Sequence, residues 1–338
     1  MVRTSCRALG AAVMCGTRGR SAAPPLPYAT TPHATTLEQL NGRSACMQVF
    51  LTGATGYIGS AVAAALRAVG HEVSGLARND AAVERLERSG VRPVRGDLAD
   101  TAVIEQAARA ADGVIHAGST NDARGPEVDR AAVDAIIRAL DGTDKPFVYT
   151  SGIWVYGDTQ GRVVDETTPL TPAPIVAWRP AVERRVLDAA AHGVRAIVLR
   201  PGIVYGQQGG IPQLFIRWAK ERGAARVIGS GENRWPTVHV ADLADLYVRA
   251  LQRAPAGTVL IASTLPSVEL RKVAAAAAEA ACVGTKLETW PLEQARQELG
   301  PFADALALDQ QASGDAARKL LGWTPRAPDI VEAVRSGR

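Results

Sequence analysis

The turn Gly53-Ala54-Thr55-Gly56-Tyr57-Ile58-Gly59 constrains the fold of this chain more than any other stretch. It follows a short apolar run, Met47 to Thr52, and opens a segment from Tyr57 to Val69 with apolar residues at helical spacing, stopped by Gly70. In such a strand-to-helix turn the first glycine permits the tight bend, the second lets backbone approach a pyrophosphate, and the third lets helix pack on strand. The helix start offers unpaired N–H groups and a positive dipole end to the anion. Gly53, Thr55, Gly56, Tyr57, Ile58 and Gly59 are therefore the candidate pyrophosphate holders.

The unit repeats downstream. Strands are expected at His71–Leu76, Val91–Arg95, Gly113–His116 and Phe147–Ser151, with helices near Ala81–Arg88, Thr101–Ala110 and Glu127–Leu140 between them. Alternation of buried-type strands with helices predicts an α/β fold, a doubly wound parallel (Rossmann) sheet with helices on both faces. After Ser151 come a loop with Pro169, Pro172 and Pro174, a helix near Val176–Ala191 and a strand at Val194–Leu199. Residues 202–338 then read as a smaller C-terminal α/β substrate lobe, interleaved with part of 158–180, over a dinucleotide-binding domain of residues 47–201.

Charge removes some functions from consideration. Residues 1–46 hold five arginines and one acid, Glu38, and account for the whole formal charge of +4; the remainder has 33 basic and 33 acidic residues. A body without net charge or a basic stripe gives no footprint for nucleic acid. No apolar run reaches membrane-spanning length, so no membrane partner is expected. Cys6, Cys15 and Cys46 belong to the leader and leave Cys282 alone in the body, while the scattered His71, His116, His192 and His239 lack metal-ligand spacing. A reducing, cytoplasmic setting follows, with no metal. The Arg-rich, acid-poor leader fits either an organelle transit peptide or translation from a start upstream of Met47, and the second is preferred because Met47 is the first residue of the first strand-like run.

Cofactor choice is read at the end of the second strand, where NAD-binding units place an acid on the ribose hydroxyls. Here Ala77-Arg78 stands there, so a 2′-phosphate would meet a guanidinium and no carboxylate. NADP is the expected cofactor, with NAD as the alternative. A solvated loop arginine is the plainer reading of Arg78.

Further motifs extend the pattern: MQVFLTGATGYIGSAV, GDL at Gly96–Leu98, HAGS at His116–Ser119, TSGIWVYG at Thr150–Gly157, LRPGIVYG at Leu199–Gly206 and WPTVHVADLADLY at Trp235–Tyr247. In order and spacing the chain resembles a short-chain dehydrogenase/reductase of the extended, epimerase/dehydratase-like branch, over nearly everything from Met47 to Trp323. The resemblance implies that Asp97 and Leu98 sit by the adenine, that Ala117, Gly118 and Ser119 line the nicotinamide side, and that Pro201, Ile203 and Val204 close over it. It implies that Ser151 hydrogen-bonds the substrate oxygen, and that Arg234, His239 and Asp242 lie at the substrate mouth. His239 can equally be a strand-end histidine, and Asp242 a helix N-cap. Trp154, Trp178 and Trp235 cluster in these motifs and suggest an apolar or ring-bearing substrate. A homodimer is a further expectation from the resemblance.

One departure stands out. The family's Tyr-x-x-x-Lys pair supplies a proton donor and a lysine that lowers its pKa, yet none of the six tyrosines has a lysine four residues on. Aligning on Glu183 puts Ile175 at the tyrosine position and Arg179 at the lysine position. Tyr156 is the expected replacement acid, unless it only packs and lines a pocket, with Arg179 at the ribose and Tyr205 and His239 in reserve. The function expected is an NAD(P)-dependent oxidoreductase or epimerase/dehydratase-like enzyme acting on a small carbonyl, alcohol or sugar nucleotide. For a sugar nucleotide Arg217, Arg226 and Arg234 are candidates to hold a second diphosphate. The alternative is a non-catalytic NADP(H)-binding sensor.

Overall fold

The computed structural model describes residues 46–336, and the expectations for the leader lie outside the described residues. The first half alternates strand and helix: β1 (Gln48–Thr52), α1 (Tyr57–Ala68), β2 (Glu72–Ala77), α2 (Asp80–Arg88), β3 (Arg92–Arg95), α3 (Thr101–Ala110), β4 (Gly113–His116), α4 (Gly125–Leu140) and β5 (Pro146–Thr150). There follow β6 (Val163–Val164), α5 (Arg179–Asp188), β7 (Arg195–Pro201), β8 (Ile203–Gly206), β9 (Gly209–Gly210), α6 (Ile211–Arg222), β10 (Ala225–Ile228), β11 (Arg234–His239) and α7 (Val240–Arg253). The chain continues through β12 (Thr258–Ala262), β13 (Leu265–Glu269), α8 (Leu270–Ala280), β14 (Leu287–Trp290), α9 (Leu292–Leu299), α10 (Pro301–Ala307), β15 (Gln311–Ala312), α11 (Asp315–Leu321) and α12 (Ile330–Ser336).

Seven strands form one parallel sheet in the order β12-β7-β5-β4-β1-β2-β3. Side chains alternate across it with the strand period of two. Val49 and Leu51 of β1, with Val148 and Ile197, face a layer built by α1 and α7. Phe50, with Phe147, Tyr149 and Val198, faces α3, α4 and α5. Both faces are covered, which is why these strands read as nearly continuous apolar runs. The order reverses between β1 and β4, and a ligand crevice opens at the carboxyl ends of such a pair. Thr52 is in register with His116 there, so the glycine turn and Ala117 leave the sheet side by side.

A second core gathers Ile203, Tyr205, Phe215, Trp235 and Trp290 with α6, α8 and α12. Its largest sheet runs β13-β11-β8-β9. The chain passes from β7 in one sheet to β8 in the other through Gly202, where an added Cβ would lie 2.5 Å from the Pro236 carbonyl oxygen. The second lobe is not the continuous run 202–338. α7 and β12 belong to the large sheet and its helix layer, and α11 packs against α7 with Ala317, Leu321 and, just beyond the helix, Trp323 in the same core. The amphipathic α7 and apolar β12 complete the large core, so these two elements are further crossings beyond the interleaving expected at 158–180. The helix expected at Val176–Ala191 is regular over Arg179–Asp188, with 3₁₀ turns at Pro174–Val176 and Ala189–His192.

Candidate functional site

The glycine turn is closely packed and demands its glycines. Gly53 has φ of +74°, and a Cβ on it would lie 2.5 Å from the Ala117 carbonyl oxygen; one on Gly59 would lie 2.1 Å from the Gly53 carbonyl oxygen. Gly56 precedes α1 with no side-chain cap and no acid in the first turn. Ser60 N–H is the first to bond back, to the Gly56 carbonyl at 2.9 Å, so the Tyr57, Ile58 and Gly59 N–H groups at the helix start are left for a ligand. The Tyr57 side chain turns away from the turn. Its hydroxyl donates to the Gly206 carbonyl at 2.8 Å and ties the helix start to the β8–β9 hairpin; burial, with Tyr205 adding to it, raises its pKa.

Arg78 is exposed just past β2, and the nearest following acid, Asp80, pairs with Arg95 at 2.7 Å. Arg85 of α2 reaches back to donate to the Thr55 carbonyl at 3.3 Å. Two arginines thus border this rim of the turn. Asp97 accepts from the Ala99 N–H at 3.1 Å, and Leu98 lies close enough to Gly118 that a Cβ there would be 3.1 Å from it. Gly118 N–H donates to Thr52 Oγ1 at 3.1 Å, and Ser119 is exposed. Pro201 and Ile203 are buried at the crossing between sheets, while Val204 packs on the main core.

Ser151 follows β5. It is 8% exposed, and its Oγ has no hydrogen-bond partner among the described residues. A buried, unpartnered hydroxyl is costly unless something else meets it. Arg179, half-buried at the start of α5, donates to the Thr150 carbonyl at 2.9 Å and lies over the Trp178 ring at 4.7 Å. Ser151 and Arg179 therefore meet at the same strand end. Trp154, three residues on, packs edge-to-face on Phe302 of α10, with ring centroids 5.9 Å apart, and Ala173 N–H donates to its carbonyl at 2.9 Å. Ile175 is exposed in the adjoining 3₁₀ turn. A Cβ on Gly152 would meet nothing within 4 Å, so space adjoins Ser151.

Five expected site residues are occupied elsewhere. Tyr156 is 2% exposed and its hydroxyl accepts from Arg200 Nη1 at 2.6 Å; burial pushes its pKa up to about 12 despite that cation, which unsuits it as an acid. Tyr205 is buried and donates to the Pro328 carbonyl at 2.8 Å, so it does not face a substrate. His239 caps α7, its Nδ1 accepting from the Ala241 N–H at 3.2 Å, and burial lowers its pKa. Arg234 is clamped by Asp309 through Nε at 2.9 Å and Nη2 at 2.6 Å, which raises the arginine pKa and lowers that of the acid. Asp242 is not the cap of α7 but receives the Arg326 and Ala327 N–H groups at 2.9 and 3.1 Å. Each of these polar groups has a protein partner because it is buried or clamped, and motif position alone could not reveal that partner.

Sequence reasoning passes over Asp129. Its carboxylate lies inside α4 on the same face as Ala132, Val133 and Ile136, and an acid on an apolar stripe was the signal available.

The family described as NAD dependent epimerase/dehydratase matches residues 49–262 of the chain that carries this site. An uncharacterized protein of Saccharomyces cerevisiae is 31% identical over 299 residues, covering 86% of this chain and 98% of its own length. A 4-hydroxy-2-methyl-3-oxo-4-farnesyl-3,4-dihydroquinoline-1-oxide ketoreductase of Stigmatella aurantiaca is 27% identical, over 83% of this chain and 92% of its own. The structure of Thermus thermophilus UDP-glucose 4-epimerase in complex with NAD superposes with a TM-score of 0.70 at 23% identity, over 86% of this chain and 97% of that one, a likeness of fold.

Proposed function

The chain belongs to the NAD dependent epimerase/dehydratase family, and on that premise we propose that it is an NADP(H)-linked reductase of apolar carbonyl compounds. The observation that carries the substrate class is the state of its arginines. Arg234 is bound by Asp309, and Arg226 lies over Trp290 at 4.5 Å and pairs with Glu298 at 3.5 Å, so two of the three candidates for a second diphosphate already have partners. Trp154, three residues from Ser151 in the chain, packs on Phe302, and Ile175 is exposed in the 3₁₀ turn that precedes α5. An apolar wall with few free cations favours a neutral lipophilic ketone over a sugar nucleotide. The ketoreductase of Stigmatella aurantiaca, whose name carries a farnesylated ring ketone, supports the same class.

The packed glycine turn and uncapped α1 suit a dinucleotide pyrophosphate, held by Gly53, Thr55, Gly56, Tyr57, Ile58 and Gly59. Arg78, with Arg85 nearby, would take the 2′-phosphate. When bound, the dinucleotide supplies the hydride. Ser151 Oγ would hydrogen-bond the substrate carbonyl oxygen, the charge of Arg179 at the same strand end would ease the negative charge of the alkoxide that hydride addition creates, and water in the open space beside Gly152 would supply the proton that completes the alcohol. Ile175, at the position where a tyrosine is expected, offers no proton. That residue favours a second reading, a sensor that binds NADP(H) without turnover.

The test is a titration of the full chain with NADPH and NADH, followed by turnover with a lipophilic ketone and with Ser151→Ala. Preference for NADPH, with turnover that falls at least about tenfold in Ser151→Ala, is expected. Tight binding without consumption would favour the sensor.

A further inference from the structure

A line of buried polar groups runs beneath the site, and the proposed reduction leaves it unused. Thr52 Oγ1 meets His116 Nδ1 at 3.0 Å, His116 Nε2 meets Asp129 Oδ1 at 3.1 Å, and the Tyr149 hydroxyl donates to Asp129 Oδ2 at 2.7 Å. At the far end Arg179 Nη1 lies 3.4 Å from the Tyr149 hydroxyl oxygen while it donates to the Thr150 carbonyl. Thr52, His116, Asp129 and Tyr149 are each 4% exposed or less, and the His116 and Tyr149 rings stack at 5.9 Å.

One assignment of hydrogens satisfies every contact. Gly118 N–H donates to Thr52 Oγ1, the Thr52 hydroxyl donates to His116 Nδ1, and His116 Nε2–H donates to Asp129. From the other side Arg179 donates to the Tyr149 oxygen and Tyr149 donates to Asp129. Every donor points toward the carboxylate, which is then the buried negative charge of the line, with Arg179 its cation. Burial alone would raise the Asp129 carboxyl, but His116, with Arg179 and Tyr149, holds it below its ordinary range; burial keeps Tyr149 protonated and able to donate.

We propose that Asp129 is a positioning residue, which acts through the Tyr149 hydroxyl to hold the Arg179 guanidinium at the Thr150 carbonyl, on the nicotinamide-ribose side of the cofactor. The position of the cofactor rests on the function proposed above; the hold on Arg179 does not. A buried carboxylate needs compensation, and a long arginine at a cleft wall loses many rotamers when it is fixed. Without Asp129 the guanidinium keeps the Thr150 carbonyl and the Trp178 face but loses the carboxylate that its Tyr149 contact reaches.

Two measurements on the full chain test this. The first is a double-mutant cycle on the NADPH dissociation constant, read by nucleotide fluorescence. Arg179→Met and Asp129→Asn should each weaken binding about tenfold, and the double variant should be no weaker than Arg179→Met alone. Losses that multiply, or no loss in Asp129→Asn, would overturn the proposal. Tyr149→Phe takes the place of Asp129→Asn in the cycle if circular dichroism shows that variant unfolded. The second measurement needs no nucleotide. Phenylglyoxal labelling of Arg179, followed by peptide mass spectrometry, should accelerate several-fold in Asp129→Asn and Tyr149→Phe, and an unchanged rate would overturn the proposal. If the native chain binds neither NADPH nor NADH, the proposed function falls and the labelling still decides the role of Asp129.

Discussion

Arg200 and Glu183 form a buried ion pair, Arg200 Nε lying 3.2 and 3.1 Å from the two carboxylate oxygens, with side chains 5% and 1% exposed. The pair joins β7 to α5, and the remaining Arg200 nitrogen is given to Tyr156. A residue expected to move a proton is thus part of the framework that fixes α5, and with it Arg179.

Tyr156→Phe should therefore leave turnover within about threefold of the native chain while it lowers stability by about 2 kcal/mol, the cost of an Arg200 donor left unpaired. Chemical denaturation and steady-state rates separate the two. A rate loss of about a hundredfold with stability intact would restore Tyr156 as the acid.

Breaking the ion pair from the other side should cost more. Glu183→Gln leaves a buried guanidinium without its counter-charge, for which we expect about 3–5 kcal/mol of destabilisation. Denaturation midpoints at fixed pH check this, and a loss below about 1 kcal/mol would mean that water reaches the pair.

Arg78→Asp should weaken NADPH binding about 10–100-fold, the worth of one charge-assisted contact to the 2′-phosphate, and leave NADH nearly unchanged. Equal losses for both nucleotides would mean that Arg78 stands clear of the phosphate.

Acid should erode the fold through His239 and His71, whose pKa values burial lowers from the ordinary 6.5. The unfolded chain takes up these protons before the folded one does. Stability is therefore fully present above about pH 6.5, is lost as pH falls below it, and levels off once the folded pKa values are passed. His239 accepts the Ala241 N–H only while its Nδ1 is unprotonated. Because asparagine can cap a helix without titrating, His239→Asn should flatten part of that slope in melting temperature against pH. An unaltered slope would remove His239 from the cause.

The sheet was legible because its strands are buried on both faces and its helices carry apolar stripes in sequence; β1, α3 and β4 fall within a residue of their expected bounds. Legibility of the site stopped where partners come from distant chain. Gly53 and Gly59 declare a local geometry that only glycine satisfies, and the motif contains all of it. Tyr156 and Arg234 look free in sequence because Arg200 and Asp309 must first be folded beside them, whereas His239 bonds the Ala241 N–H two residues on, as the strand-end reading allowed. Of the three tryptophans that suggested an apolar or ring-bearing substrate, Trp235 is fully buried with its Nε1 donating to the Leu306 carbonyl at 3.1 Å, a partner far along the chain, and Trp178 lies under Arg179.

The most direct measurement follows NADPH absorbance with the full chain, offering matched concentrations of lipophilic ketones in one series and nucleoside-diphosphate sugars in the other, with the products analysed. Consumption of NADPH with the ketones, formation of the corresponding alcohols, and no change in the sugar nucleotides is the predicted result. Epimerised or dehydrated sugar nucleotides with the ketones untouched would contradict an apolar-carbonyl reductase, and so would bound NADPH that no ketone consumes.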